Sequence, residues 1–261
     1  MEPFQPKPPS GHRPYVIAHR GISGKAPENT LAAFRLACAT PGIDMIELDV
    51  RLSRDNEAIV LHDRTLQRTS TGNGAARSYA VPELKEFDAG SWFNPSFASE
   101  RIPTLREVLA VVDKRLWVNI ELKSDFFFPQ ESESLERKVL EIVHDLQYER
   151  HVMYSSFNHR MVEAVKRLSP SAITGVIFSV ARDYGRMPSK LAGRVGAEVF
   201  VCAKRELSRN VVDDARRAGL AVYVYTLNSI SNASKMIEMG VDGILSDSAD
   251  EIVHHVKKPG V

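Results

Sequence analysis

The sequence predicts an α/β chain closed into a single (β/α)8 TIM barrel with a small inserted cap after an early strand, and three observations carry that prediction. Eight short runs rich in Val, Ile and Tyr alternate with longer amphipathic stretches nearly to the C-terminus. The length, 261 residues, is close to that usual for such a barrel. One stretch, residues 64–102, breaks the alternation, and excursions of that length in compact domains tend to be functional.

The expected strands are Tyr15–Ala18, Met45–Leu52, Trp117–Leu122, Val152–Ser155, Ile173–Phe178, Glu198–Val201, Ala221–Tyr225 and Gly243–Leu245. Helical patterns fall between them at Thr30–Ala39, Leu105–Val112, Leu135–Leu146, Arg160–Leu168, Val211–Ala218 and Ala233–Met239. Strand–helix alternation implies parallel pairing through helical crossovers. The strand count favours closure over an open doubly wound sheet, which is the alternative architecture. Residues 1–14, with five prolines, read as a flexible leader, and 15–261 as one barrel domain. The excursion carries Thr71-Gly72-Asn73-Gly74, a short helical pattern at Glu83–Phe87 and the aromatic pair Trp92-Phe93.

Composition excludes several classes. Hydrophobic residues make up 43% and charged residues 26%, the balance of a globular chain with a sizeable core. A formal net charge of +1 gives no global field for a polyanion, which disfavours nucleic-acid binding. No apolar run is long enough for stable membrane insertion. The leader lacks the apolar core of a secretion signal, and Cys38 and Cys202 make no disulfide framework, so cytoplasmic residence is the expectation. Association into a homo-oligomer stays open.

The chemistry is concentrated on two strands. In Met45–Leu52 the even positions are aliphatic, while Glu47, Asp49 and Arg51 share the other face. A barrel's outer face packs beneath helices and must be apolar, so the acidic face points into the lumen. In Trp117–Leu122 the same logic puts Asn119, Glu121 and the following Lys123 inside. Adjacent buried carboxylates are costly without a cation or a proton. Glu47, Asp49 and Glu121 are therefore expected to hold one divalent cation, Mg²⁺ or Ca²⁺, as oxygen ligands suit a hard ion. Zinc is disfavoured because no His or Cys cluster has tetrahedral-site spacing. Ion pairs with Arg51 or Lys123 are the competing reading. It would prevail for one such strand and yields when two neighbours share the pattern.

His19 follows the first strand and His62 ends the apolar run Ala58–Leu61, both where catalytic groups sit in this architecture. Two imidazoles suit in-line phosphoryl transfer, one removing a proton from the attacking oxygen and one protonating the leaving alkoxide. Arg20 offers a fork of donors to phosphate, Gly21 permits close backbone approach, and Lys123 adds positive charge. His12, His144, His151, His159, His254 and His255 read as structural or surface residues.

Together these residues resemble the glycerophosphodiester phosphodiesterase family. The matching stretches are His19-Arg20-Gly21, Pro27-Glu28-Asn29-Thr30, Glu47-Leu48-Asp49-Val50, Leu61-His62-Asp63, Ile102-Pro103-Thr104-Leu105, Asn119-Ile120-Glu121-Leu122-Lys123 and Gly240-Val241-Asp242-Gly243, in family order across nearly the whole chain. The resemblance implies the barrel with its cap, a cation on Glu47, Asp49 and Glu121, and His19 and His62 as an acid/base pair. It also implies Arg20 and Lys123 on the phosphate of a glycerophosphodiester, with Glu28 and Asn29 in support. The implied reaction has two steps: a neighbouring substrate hydroxyl forms a cyclic phosphate, which water opens to glycerol 3-phosphate. Which histidine is the base first stays open. One departure stands out: Val224-Tyr225-Thr226 occupies the place of the family's Val-Trp-Thr, so Tyr225, with Phe93 of the cap, becomes the expected aromatic contact to substrate. Asp125-Phe126-Phe127-Phe128-Pro129 reads as a buried loop or a hydrophobic lip. Competing activities are a lysophospholipase D, a metal-independent two-histidine lyase and a non-catalytic metal- or phosphate-binding barrel.

Overall fold

A computed structural model describes residues 1–9, 12–124 and 134–256 of the chain. The strands are β1 (Tyr15–His19), β2 (Met45–Leu52), β3 (Ala58–Val60), β4 (Trp117–Leu122), β5 (Val152–Ser156), β6 (Thr174–Ile177), β7 (Val199–Ala203), β8 (Ala221–Tyr225) and β9 (Gly243–Ser246). Eight of them run parallel in the order β1-β9-β8-β7-β6-β5-β4-β2, and β1 also pairs with β2, which closes the ring. The barrel is therefore closed, and the doubly wound alternative falls.

The ninth strand is the departure from that ring. β3 folds back antiparallel on β2, with Val50 opposite Val60 and Leu52 opposite Ala58. Its run is too short to announce itself as a strand beside its neighbours, yet it carries the chain back to the mouth. There the cap begins, built on its own apolar cluster of Ile59, Leu61, Leu66, Leu84, Ala89 and Ile102.

Alternation divides the barrel into two apolar layers. Ile46, Leu48, Val50, Val118 and Ile120 face outward and pack with helix residues such as Phe34, Leu105 and Leu109. Ile17, Met45, Met153, Val199 and Tyr223 fill the lower lumen. The helix Leu31–Ala39 starts where the Thr30 hydroxyl accepts from Ala33 N, and Leu105–Val112 starts in a Thr104/Glu107 capping box. Pro188–Val195 and Ala249–His255 are further helices that the sequence pattern did not single out.

The N-terminal segment corrects one expectation. Its described residues are docked beneath the barrel rather than loose. Phe4 is 3% exposed and sits 5.4 Å from the Trp117 ring and 6.3 Å from that of Tyr15. Phe4 N donates to Arg150 O, the Tyr15 hydroxyl to Lys7 O, and the Tyr223 hydroxyl to Pro6 O. The open lower end of the lumen exposes aromatic surface, and Phe4 covers it. Proline-rich composition hid this because one aromatic among prolines carries no periodic signal.

Candidate active site

Strand register sets the heights of the acidic groups. Asp49 lies opposite Glu121, and Glu47 lies opposite both Asn119 and His19. Glu47, Asp49 and Glu121 thus converge at the C-terminal mouth, with one oxygen from each within 4.8 Å of the others, all three buried. The charged faces read from β2 and β4 meet as the barrel geometry requires.

Positive groups lie among them. Lys123 Nζ is 2.9 Å from Asp49 Oδ1 and also contacts Glu121 Oε1. Arg20 Nη1 donates to Glu28 Oε1 at 2.8 Å, its Nε lies 3.3 Å from Asp49 Oδ2, and its backbone N donates to Glu47 Oε2 at 3.0 Å. Asn29 Nδ2 donates to Asp49 Oδ2 at 2.8 Å. Gly21, at φ +80°, passes so close to the next helix that a Cβ would come within 2.7 Å of Ala33. Arg51 Nη2 donates to His62 O at 2.8 Å.

The two imidazoles are held alike. His19 Nδ1 lies 2.6 Å from Asp247 Oδ1, and His62 Nδ1 lies 2.6 Å from Asp63 Oδ1. An ionised carboxylate only accepts, so each Nδ1 carries the proton and each Nε2 is left for chemistry. His19 Nε2 sits 3.9 Å from Glu47 Oε2. Asp247 is fixed in turn by the Ser23 hydroxyl at 3.0 Å and by Asn228 Nδ2 at 2.6 Å. Asp63 is bound by Arg68, whose guanidinium also forks onto Glu28 with two contacts of 2.8 Å. Glu28 therefore braces Arg20 and links the cap to the barrel.

Electrostatics separates the two histidines. Burial pushes His19 toward neutrality, but the Asp247 bond and the Glu47 charge outweigh it and raise its pKa. Burial also lowers His62, and Lys123 and Arg20 add to the effect against the pull of Asp49, so its pKa falls. Asp49 stays ionised because Lys123 and Arg20 overcome its burial. Glu47 and Glu121 go the other way: burial, with the Asp49 charge, raises both, Glu47 to about 8. Glu47 Oε1 is buried with no hydrogen-bond partner. An orphaned Glu47 oxygen beside two more buried carboxylates is a donor set that fits a hard divalent cation.

A cleft of about 460 Å³ opens beside His19, lined by Arg20, Ser23, Glu28, Asn228 and Asp247 among others. That volume is in the range that holds a small ligand. Tyr225 ends β8 with its ring 6.4 Å from that of Phe157, edge to face, and Lys123 Nζ lies 5.8 Å from the Phe157 centroid. Tyr225 thus belongs to the wall of the mouth. Phe93 does not join it in the same way: 36% exposed, it packs edge-on with Trp92 and Phe97 on the cap. The Phe126–Phe128 stretch lies outside the described residues.

Sequence reasoning missed Asp247, Asn228, Ser23, Arg68 and Phe157. Asp247 did carry a signal, an acidic residue just past the end of a parallel strand, where catalytic groups gather in such barrels. Asn228 and Ser23 carried none, since only the fold brings them to Asp247.

The sequence profile of the Glycerophosphoryl diester phosphodiesterase family matches residues 19–251. The chain belongs to this family. Within it, the chain is 36% identical over 247 residues to a glycerophosphodiester phosphodiesterase of Caldanaerobacter subterraneus subsp. tengcongensis, covering 94% of this chain and 98% of that one. A glycerophosphodiester phosphodiesterase of Bacillus altitudinis is 33% identical, with 91% and 96% covered. Among solved structures, an Oleispira antarctica phosphodiesterase in complex with its product sn-glycerol-3-phosphate superposes with a TM-score of 0.84 at 31% identity, covering 94% of this chain and 97% of that chain. A glycerophosphodiester phosphodiesterase from Agrobacterium tumefaciens gives a TM-score of 0.80 at 30% identity, with 92% and 99% covered. The non-catalytic reading loses its ground, since the relatives matched over nearly the whole chain are phosphodiesterases.

Proposed function

We propose that the protein hydrolyses glycerophosphodiesters to glycerol 3-phosphate and an alcohol, with one divalent cation on Glu47, Asp49 and Glu121 and with His62 and His19 as base and acid. The carrying observation is the meeting of three buried carboxylates at one mouth with two imidazoles, each tied through Nδ1 to its own acid. The product named for the Oleispira antarctica relative supports glycerol 3-phosphate as product here.

The cation, Mg²⁺ or Ca²⁺, would lower the pKa of a coordinated substrate hydroxyl and offset charge on the phosphoryl oxygens. His62, whose pKa is lowered, is neutral and takes the proton from the glycerol hydroxyl as its oxygen bonds to phosphorus. His19, whose pKa is raised, gives its Nε2 proton to the departing alcohol oxygen as the old P–O bond breaks. The product of that step is a cyclic phosphate. Water then opens it with the roles exchanged: His19 takes the water proton and His62 returns one to the hydroxyl oxygen. Arg20 and Lys123 supply fixed positive charge to the equatorial oxygens.

Three carboxylates around a cation favour this reading over the metal-independent lyase, which needs none. The test is release of glycerol 3-phosphate from a panel of glycerophosphodiesters, before and after chelation. Activity is expected to vanish with chelator and return with Mg²⁺ or Ca²⁺. Full turnover in chelator would overturn the cation assignment, and no hydrolysis of any diester would overturn the reaction. A lysophospholipase D activity has one observation in its favour, the exposure of Trp92 and Phe93 on the cap. Faster turnover of lysophospholipids than of deacylated diesters would favour it.

A further inference from the structure

The groups assigned so far occupy one half of the mouth. His19, Glu47, Asp49 and Glu121 stand on or just beyond β1, β2 and β4, and His62 follows β3 beside them. The other half, at the ends of β5 to β8, has no part in the proton transfers, yet it has a definite character. Phe157 follows β5 and Tyr225 ends β8, and their rings form an edge-to-face pair at 6.4 Å. Two cations address the Phe157 ring: Lys123 Nζ at 5.8 Å and Arg182 Cζ at 5.6 Å. Lys123 belongs to the carboxylate cluster, so the ring adjoins the reacting centre as well as Arg182. Arg182 sits in the short helix Val180–Asp183 after β6 and is exposed, its guanidinium over the Phe157 ring.

The charge on this arc is one-sided. Beyond β6 stand Arg182 and Arg186, and beyond β7 stand Lys204 and Arg205, the last two exposed. Lys204 is tied to the wall by its backbone N, which donates to Tyr225 O at 2.9 Å. Each acid on the arc is already used. Asp183 is buried, accepts from Ser179 N and has Arg186 at 3.9 Å, while Glu206 accepts from Ala203 N. Among the described residues, the arc therefore presents two aromatic faces backed by unneutralised positive charge.

We propose that this arc is the subsite for the leaving alcohol, and that it selects alcohols carrying a second anionic group, a phosphate above all, over those carrying a quaternary ammonium. The inference rests on the phosphodiesterase reading, because it needs a diester whose glycerol half is held on the carboxylate side. Phe157 and Tyr225 form one apolar wall against which the carbon skeleton of the alcohol lies. Arg182, stacked on Phe157, meets its anionic substituent with a planar fork of donors. An aromatic pair alone would suit a quaternary ammonium. With Arg182 over one ring, that face is already taken by a cation, and a second cation there is repelled.

The test compares glycerophosphoinositol with glycerophosphoinositol monophosphate, two substrates that differ by one phosphate, and sets glycerophosphocholine beside them. The native enzyme is expected to favour the phosphorylated substrate in kcat/KM by about tenfold at low salt, with the advantage shrinking as ionic strength rises. Arg182→Glu is expected to abolish or reverse that preference and to raise glycerophosphocholine turnover. Arg182→Lys is expected to retain part of the preference. An unchanged ranking of the three substrates in Arg182→Glu would overturn the assignment, as would a native preference for glycerophosphocholine. If none of the diesters were cleaved by the native enzyme, the proposed reaction would fail instead, which separates the two claims.

Discussion

His62 and His19 have the same contact to a carboxylate, Nδ1 to oxygen at 2.6 Å, but they obtain it by opposite routes. The partner of His62 is the next residue, and the pair hangs on a hairpin strand and the cap that Arg68 pins to Glu28. The partner of His19 is 228 residues away and reaches it only because β9 closes against β1. One dyad is local and solvent-facing, with 33% of the His62 side chain exposed against 15% for His19. The other is a product of barrel closure, braced by Ser23 and Asn228. The difference teaches that equal geometry need not mean equal chemistry: the enclosed imidazole binds its proton more firmly and the cap-side one less firmly.

The largest expected effect tests whether both dyads are needed at all. His19→Ala and His62→Ala should each lose on the order of 10³-fold in kcat/KM, within the range that positioned proton transfer supplies. Near-normal turnover in either would break the pairing of roles. Asp247→Asn and Asp63→Asn then separate the dyads. Asp247→Asn should cost about 10²-fold in kcat, because an amide no longer fixes the Nδ1–H tautomer nor stabilises the imidazolium. His19 must be protonated to act as acid, so activity falls as pH rises through its raised pKa. Removing the Asp247 charge lowers that pKa and moves the alkaline limb of the pH–rate profile to lower pH. Asp63→Asn should leave that limb in place, and equal shifts in both variants would remove the distinction.

A smaller effect concerns the cation. With Glu47 raised to about 8 without a cation, ion binding near neutrality must expel its proton. Apparent affinity for Mg²⁺ should therefore rise with pH by up to about tenfold per unit and level off above about 8. Calorimetry in buffers of different ionisation enthalpy would detect the released proton, and pH-independent affinity would refute the linkage. Smallest for catalysis is a change at the other end of the barrel. Phe4→Ala removes a buried ring from the floor and should lower stability by about 3 kcal/mol in denaturant titrations, while kcat/KM stays within about twofold. An unaltered denaturation midpoint would mean that the N-terminal segment is not part of the folded core.

Much of this was legible in the sequence because alternation is a local property. Glu47, Asp49 and Glu121 could be placed in one lumen from period-two patterns on two strands, and register then brought Asp49 opposite Glu121. His19 and His62 were legible as residues at strand ends. Ion pairing and metal binding could not be separated that way, and the structure contains the ingredients of both: Lys123 does pair with Asp49 and Glu121, while Glu47 keeps an orphaned oxygen. Phe93, expected to contact substrate, lies in a ring cluster with Trp92 and Phe97 on the cap.

By itself the sequence determined the barrel, the acidic faces of β2 and β4 and the two strand-end imidazoles, since each follows from the spacing of neighbouring residues. Tertiary structure alone decided that Asp247 would grip His19, that Glu28 would join Arg20 to Arg68, and that Phe4 would seal the floor. The His19–Asp247 contact joins residues 228 positions apart and exists only once the eighth parallel strand meets the first, which no local pattern encodes.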